Sequence, residues 1–300
     1  MKHVAVLMGG LSAEREISLV SGRACAAALE EAGYRVSRVD VGRDVDVVLR
    51  RLAPDVAFNA LHGRLGEDGR IQGLLDLLRI PYTHSGVRAS AIAMHKPTAR
   101  LLFAAAGLPV AEGRTCSVEE MTRTRPLEPP VVVKPVDEGS SVGVTLLESW
   151  DALDPQTWPE GRELLVERFV PGHELTCAVL GDEPLAVTEI VPASGGLYDW
   201  RAKYEPGGSR HLLPAPLPKR IYERVLEISL AAHRVLGCRG VSRADLRWDP
   251  SRGEEGLVLL EVNTQPGMTP TSLLPEQAAF RGISFRDLVV RLVEMARCDP

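Results

Sequence analysis

Asp245, Glu261 and Asn263 stand in two strongly apolar runs, SRADLRWD and GLVLLEVN. Residues two apart on a strand point to one face, so Glu261 and Asn263 share a side, and Asp245 on a neighbouring strand can join them. Two carboxylates and an amide oxygen, with no His or Cys among them, are hard ligands suited to Mg2+ bridging nucleotide phosphates. A solvated sheet face could carry the same residues, but facing acids repel unless a cation lies between them.

A second set surrounds a lysine. In VVVKPVDEGSSVGV, Lys134 ends a strand and Gly139-Ser140-Ser141 turn the chain, so backbone N–H groups can cradle phosphate oxygens. The lysine precedes the glycine, and no G-K-[ST] occurs anywhere, so this is either another kind of phosphate loop or a polar hairpin turn. Of the 35 basic residues only five are Lys (2, 96, 134, 203 and 219), and a compact charge on a flexible stem does what a planar guanidinium cannot. LLVERFVPGHE sets Glu167 and Glu174 either side of an apolar turn. That arrangement suits a hinge bonding an adenine through its backbone and a ribose through a carboxylate, or an edge strand with exposed acids. His62 ends a strand beside a glycine-rich loop, where ligands of open α/β sheets collect, although a lone His is more often structural.

The opening VAVLMGGLSAEREISLVSG looks like a dinucleotide loop but lacks G-x-G-x-x-G and carries Glu14 and Glu16. Acids in a first helical turn complement the helix dipole by about 0.3–1 kcal/mol. The same charge repels a pyrophosphate, so a ligand bound at this turn should present a cation such as an ammonium.

The elements that must position these residues follow from hydrophobic period. Up to residue 90 the chain alternates strand and helix, which implies a parallel sheet covered by helices. Ser12 or a neighbour caps the first helix, which ends near Gly33. Later come a helix KPTARLLFAAAG, paired strands around the 139–141 turn, a strand ELLVERFV, a long helix KRIYERVLEISLAAHRVLG, and an antiparallel pair carrying Asp245 and Glu261. The closing helix SFRDLVVRLVEMA starts with a capping-box-like Ser284 and Asp287. The Pro- and Gly-rich 197–218 stretch reads as a long functional loop. Hydrophobic residues make up 45%, charged residues 25%, and the net charge is −5, the balance of a soluble globular protein rather than a nucleic-acid binder. Five scattered cysteines without C-x-x-C argue against a disulfide framework or thiolate metal site. With no membrane-length apolar run and no signal-peptide pattern, the protein is expected in the cytoplasm.

As an ordered set, GGLSAEREISLVSG, LHGRLGEDGRIQG, PYTHSGVRASAIAMHK, VVKPVDEGSSVG, YDWRAKY, SRADL and LLEVNTQPGMTPTSL resemble the D-alanine–D-alanine ligase family of the ATP-grasp superfamily, nearly end to end. The resemblance implies an α/β chain of three domains: a parallel-sheet substrate domain (1–94), then central (95–168) and C-terminal (169–300) α+β subdomains sandwiching ATP. It implies ligation of two D-alanines through an acyl phosphate, for peptidoglycan precursors. Glu14 would hold the first ammonium, in a hydrogen-bonded trio with Ser140 and Tyr204. Lys96, Lys134 and Lys203 would contact phosphates, the last from a mobile lid. Glu167, Arg168, Val170 and Glu174 would bind adenine and ribose. Asp245, Glu261 and Asn263 would hold two Mg2+ ions, with Mn2+ as a substitute and a monovalent cation as a further possible requirement. Arg243 and the Gly267 N–H would form the oxyanion site, Ser272 and Leu273 would receive the second carboxylate, and His62 would sit near the reacting carboxyl. A homodimer is implied, without nucleic-acid or membrane partners.

His95, Arg168 and Gln265 depart from the family pattern, which commonly has an acid, a lysine and a small residue there. Other readings are a D-lactate or D-serine variant, disfavoured by Tyr204 after Lys203, a nicotinamide dehydrogenase, disfavoured by the missing glycine pattern, and a non-catalytic nucleotide-binding module.

Overall fold

An uncharged run such as VAVLM has to be covered on both faces, and β1 (His3–Met8) is buried throughout in the computed structural model, which describes residues 1–193, 207–269 and 271–299. After β1 come α1 (Arg15–Glu31), β2 (Arg35–Asp40), α2 (Val45–Leu52), β3 (Val56–Asn59), α3 (Arg70–Leu77) and α4 (Val87–Met94). The three strands form a parallel sheet in the order β2-β1-β3. Alternation sorts its side chains: Ala5 and Leu7 pack with Leu49 and Leu75 on one face, while Val4, Val6 and Phe58 pack with Leu29 on the other.

The next unit runs through α5 (Lys96–Ala105), β4 (Gly113–Ser117), α6 (Val118–Thr124), β5 (Val131–Pro135), β6 (Thr145–Leu147) and β7 (Glu163–Arg168). Its strands pair antiparallel in the order β4-β7-β5-β6, over a core of Met121, Val131, Val133, Leu164, Val166, Trp150 and Trp158. The hairpin expected around residues 139–141 is the β5–β6 pair.

The last unit comprises β8 (His173–Leu180), β9 (Glu183–Pro192), β10 (Ser209–Leu212), α7 (Lys219–Leu236), β11 (Val241–Trp248), β12 (Leu257–Asn263), α8 (Leu273–Phe280) and α9 (Phe285–Glu294). Its sheet order is β10-β9-β8-β11-β12, all antiparallel. The face of α7 carrying Ile221, Val225, Ile228 and Ala232 is buried on this sheet, and Gly237, in the left-handed region, stops the helix. Ser284 caps α9 by accepting from Asp287 N at 3.1 Å. That helix packs Leu288 and Leu292 into the cluster of Val4, Leu29 and Phe58, so the end of the chain completes the core of its beginning.

The cap of α1, expected at Ser12 or a neighbour, falls at Glu14; the Ser12 hydroxyl accepts from Glu14 N and donates to the His62 carbonyl at 2.7 Å. One expectation changes. Part of the expected 197–218 lid is strand β10, paired with β9; residues 197–206 of it lie outside the described residues. Among the described residues, no helix is long and apolar enough to cross a membrane.

Gly22 brings α1 against the end of β1: a Cβ there would press on Met8, 3.0 Å from Sδ and closer still to its Cβ. Gly22→Ala gains up to about 1 kcal/mol of helix propensity. Overpacking at such a contact costs about 1–3 kcal/mol, so the substitution should lower the urea midpoint of unfolding followed by circular dichroism.

Candidate functional site

The turn after β1 delivers Glu14 to the carboxyl end of the parallel sheet. There the Ser140 hydroxyl, from the β5–β6 turn, donates to Glu14 Oε1. A Cβ on Gly63 would meet the other Glu14 oxygen and push that carboxylate aside, and Gly63 also takes a left-handed φ of 70°. His62 is buried beside it, its Nε2 3.2 Å from Ser21 Oγ and its Nδ1 3.3 Å from Glu67 Oε1. Glu14, Glu16, His62, Ser140, Arg243 and Ser272 line one cavity. Tyr204, the expected third member of the trio, lies outside the described residues, as does Lys203.

A second, adjoining cavity lies between the two antiparallel sheets, and Lys96, Glu138, Gly139 and Glu261 line both. Lys96 Nζ donates to the Glu138 carbonyl and lies 3.8 Å from Glu261. Lys134 Nζ contacts Glu167; burial pushes its ammonium down to about 8, against the pull of Glu261. Arg168, Val170 and Glu174 line the same cavity. Glu174 is gripped by Arg247, whose Nη1 donates to Oε2 at 2.8 Å while Nε donates to the Val170 carbonyl at 2.6 Å. Arg247 therefore fixes the whole hinge, and Arg100, from α5, pairs with Glu167. Neither arginine was singled out by sequence reasoning. The usable signals were spacing alone: Arg100 one helical turn after Lys96, and Arg247 two residues after Asp245 on the same strand.

On the third sheet the register sets Asp245 opposite Glu261 and Arg243 opposite Asn263. The shared face is as expected, but Asp245 is bound by Arg243 through two bonds of 2.8 and 2.6 Å, and by Thr176 Oγ1 at 2.7 Å. Among the described residues no group of three or more His, Cys, Asp and Glu side chains could hold a metal ion. Asp245, Glu261 and Asn263 nevertheless offer only oxygen donors, which is the chemistry Mg2+ requires. Past β12 the chain turns, and Ser272 Oγ accepts from Thr269 N at 3.0 Å, which closes the turn around Gly267. Ser272 and Leu273 begin α8, whose first N–H groups and positive dipole end suit a carboxylate.

Gln265 shows what the departure in the NTQPGM turn does. Its Nε2 donates to the Asn59 carbonyl, Asn59 Nδ2 returns a bond to its Oε1 at 3.2 Å, and its own N–H donates to Asn263 Oδ1 at 2.7 Å. Asn59 Nδ2 also reaches the Gly66 carbonyl, so one amide pair ties the turn after β12 to the His62 loop. His95 pairs with Thr98 Oγ1 at 2.7 Å where α5 begins, and Arg168 makes an exposed pair with Glu112 at 3.0 Å.

Two family models match the chain: "D-ala D-ala ligase C-terminus" over residues 102–294 and "D-ala D-ala ligase N-terminus" over 44–85. It is 60% identical to a D-alanine–D-alanine ligase of Xanthobacter autotrophicus, with 99% of each chain covered, and 59% identical to one of Methylobacterium radiotolerans, with 98% of each covered. A solved structure of a D-alanine–D-alanine ligase from Bacillus anthracis, complexed with ATP, is similar at TM-score 0.84 and 28% identity, covering 98% of this chain and 97% of that one.

Replacing Gln265 with Leu strands the buried Asn59 carbonyl. Gln265→Leu should cost about 1–3 kcal/mol of stability, read as a lowered midpoint in chemical denaturation, whereas an exposed glutamine would cost almost nothing.

Proposed function

The chain belongs to the D-alanine–D-alanine ligase family, and on that premise we propose that it joins two D-alanines at the expense of ATP, supplying a peptidoglycan precursor. The observation carrying the reading is a carboxylate, Glu14, held by Ser140 at the edge of a cavity that also contains Lys96 and adjoins Lys134. An ammonium binds one side of that boundary and phosphates bind the other. In this reading Glu14 receives the ammonium of the first D-alanine, which brings its carboxylate to the phosphate side.

An oxygen of that carboxylate attacks the γ-phosphorus, ADP leaves, and an acyl phosphate forms. Lys96 and Lys134 hold the phosphates and offset their charge. Asp245, Glu261 and Asn263 would hold Mg2+ or Mn2+, which would supply charge neutralisation to the phosphates. Arg243, with the Gly267 N–H, would meet the oxyanion that develops when the second amine attacks. Collapse of the tetrahedral species breaks the bond to the phosphate oxygen, and phosphate departs with that electron pair. The N-terminus of α8, with Ser272 and Leu273, receives the carboxylate of the second D-alanine. Glu167, Arg168, Val170 and Glu174 make the adenine and ribose side of the cavity. The three domains (1–94, 95–168, 169–300), a homodimer and a cytoplasmic setting complete the proposal.

Phosphate release from Mg-ATP should require D-alanine and yield one phosphate per D-alanyl-D-alanine, identified by mass, also in the presence of excess D-lactate or D-serine. Depsipeptide or mixed dipeptides would make the chain a variant ligase, and no release with D-alanine would overturn the reading. Glu14→Gln should raise the KM for the first D-alanine by about 10- to 100-fold, the worth of a charged hydrogen bond, with the KM for ATP changed by less than about twofold.

A further inference from the structure

β4 and β7 pair so that Gly113 stands opposite Glu167. Arg100 reaches over that glycine from α5, one nitrogen donating to Glu167 Oε1 and Nη2 donating to the Ala111 carbonyl at 2.5 Å. Both side chains are deeply buried, 11% and 4% exposed. A Cβ on Gly113 would lie 2.7 Å from Nη1 and 2.9 Å from Nη2, so the bare α-carbon is the seat of the guanidinium. The second oxygen, Oε2, faces the Lys134 ammonium as an ion pair but has no hydrogen-bond partner of proper geometry. It belongs to a residue that lines the cavity, so once Lys134 turns to a phosphate this buried oxygen calls for a donor that a ligand can bring.

We propose that Arg100 is a positioning residue that sets base specificity: it holds Glu167 as an acceptor-only carboxylate whose Oε2 favours a 6-amino purine over a 6-oxo purine. The proposal rests on the reading of this cavity as the ATP site. Lys134 cannot do the holding, because its flexible ammonium must turn to a phosphate. A guanidinium keeps its charge and its planar fork at any working pH. An ionised carboxylate then accepts and never donates. Adenine presents an N6–H donor to it, whereas a 6-oxo purine presents a second acceptor at that position. Opposed lone pairs in a buried site have no water to relieve them.

The test is equilibrium binding of ATP and of inosine triphosphate to the full chain with Mg2+, by calorimetry, so that turnover is not needed. The wild type should prefer ATP, and Arg100→Met should shrink the ratio of the two Kd values by about 10-fold or more, the cost of one mispaired buried polar group. Gly113→Ala, which displaces the guanidinium without touching its charge, should shrink it in the same direction, and Arg100→Lys should restore part of it. A merely structural arginine would weaken both nucleotides alike and leave the ratio standing. That outcome in both Arg100→Met and Gly113→Ala, or no wild-type preference, overturns the proposal. Glu167→Gln separates the two layers: a collapsed ratio there with an unchanged one in Arg100→Met refutes Arg100 alone. An unchanged ratio in Glu167→Gln removes the adenine role of Glu167 and the proposal with it.

Discussion

Ser140 donates to Glu14 across 126 positions of the chain, and the chemistry of the site depends on that contact. It joins a turn of the parallel sheet to a turn of the central sheet, so the ammonium side and the phosphate side become one surface. Ser140 and Ser141 both take left-handed φ values, 49° and 58°, which cost non-glycine residues about 1–2 kcal/mol each. Such strain persists where surrounding contacts over-determine the backbone, and the bond to Glu14 is one of them. Gln265 makes the matching tie to the third sheet through Asn59.

Charge within the cavities follows one division of labour. Three acids of the cavity between the antiparallel sheets have an arginine partner: Glu167 with Arg100, Glu174 with Arg247, and Asp245 with Arg243. The fork geometry fixes where each carboxylate points and keeps it ionised without water. The two cavity lysines among the described residues are placed differently. Lys96 and Lys134 rest on a carbonyl and on Glu167, contacts a flexible stem can exchange for phosphate oxygens. The scarcity of lysine in an arginine-rich chain thus has a local physical meaning.

Much of this was legible in the sequence because it follows from short-range rules. Period and capping placed α5, α7 and α9, and the two-residue spacing of Glu261 and Asn263 placed them on one face of β12. Acids at the start of α1 repel a pyrophosphate and favour a cationic ligand, an expectation that needs only local sequence. What sequence could not show was partnership across long separations. Nothing local announces that Arg247 grips the 170–174 hinge, or that Gln265 reaches Asn59 over 206 positions. The last helix packing into the first core is likewise a tertiary outcome, since an amphipathic face declares only that it must be covered.

The central claim is that the carboxylate held beside Glu14 becomes an acyl phosphate before the peptide bond forms. D-alanine labelled with 18O in its carboxyl group tests it directly, by mass analysis of the phosphate released from unlabelled ATP. The account predicts one 18O atom in each phosphate formed with a dipeptide, because the carboxylate oxygen that attacks phosphorus leaves with it. Phosphate free of 18O, formed alongside the same dipeptide, would contradict it.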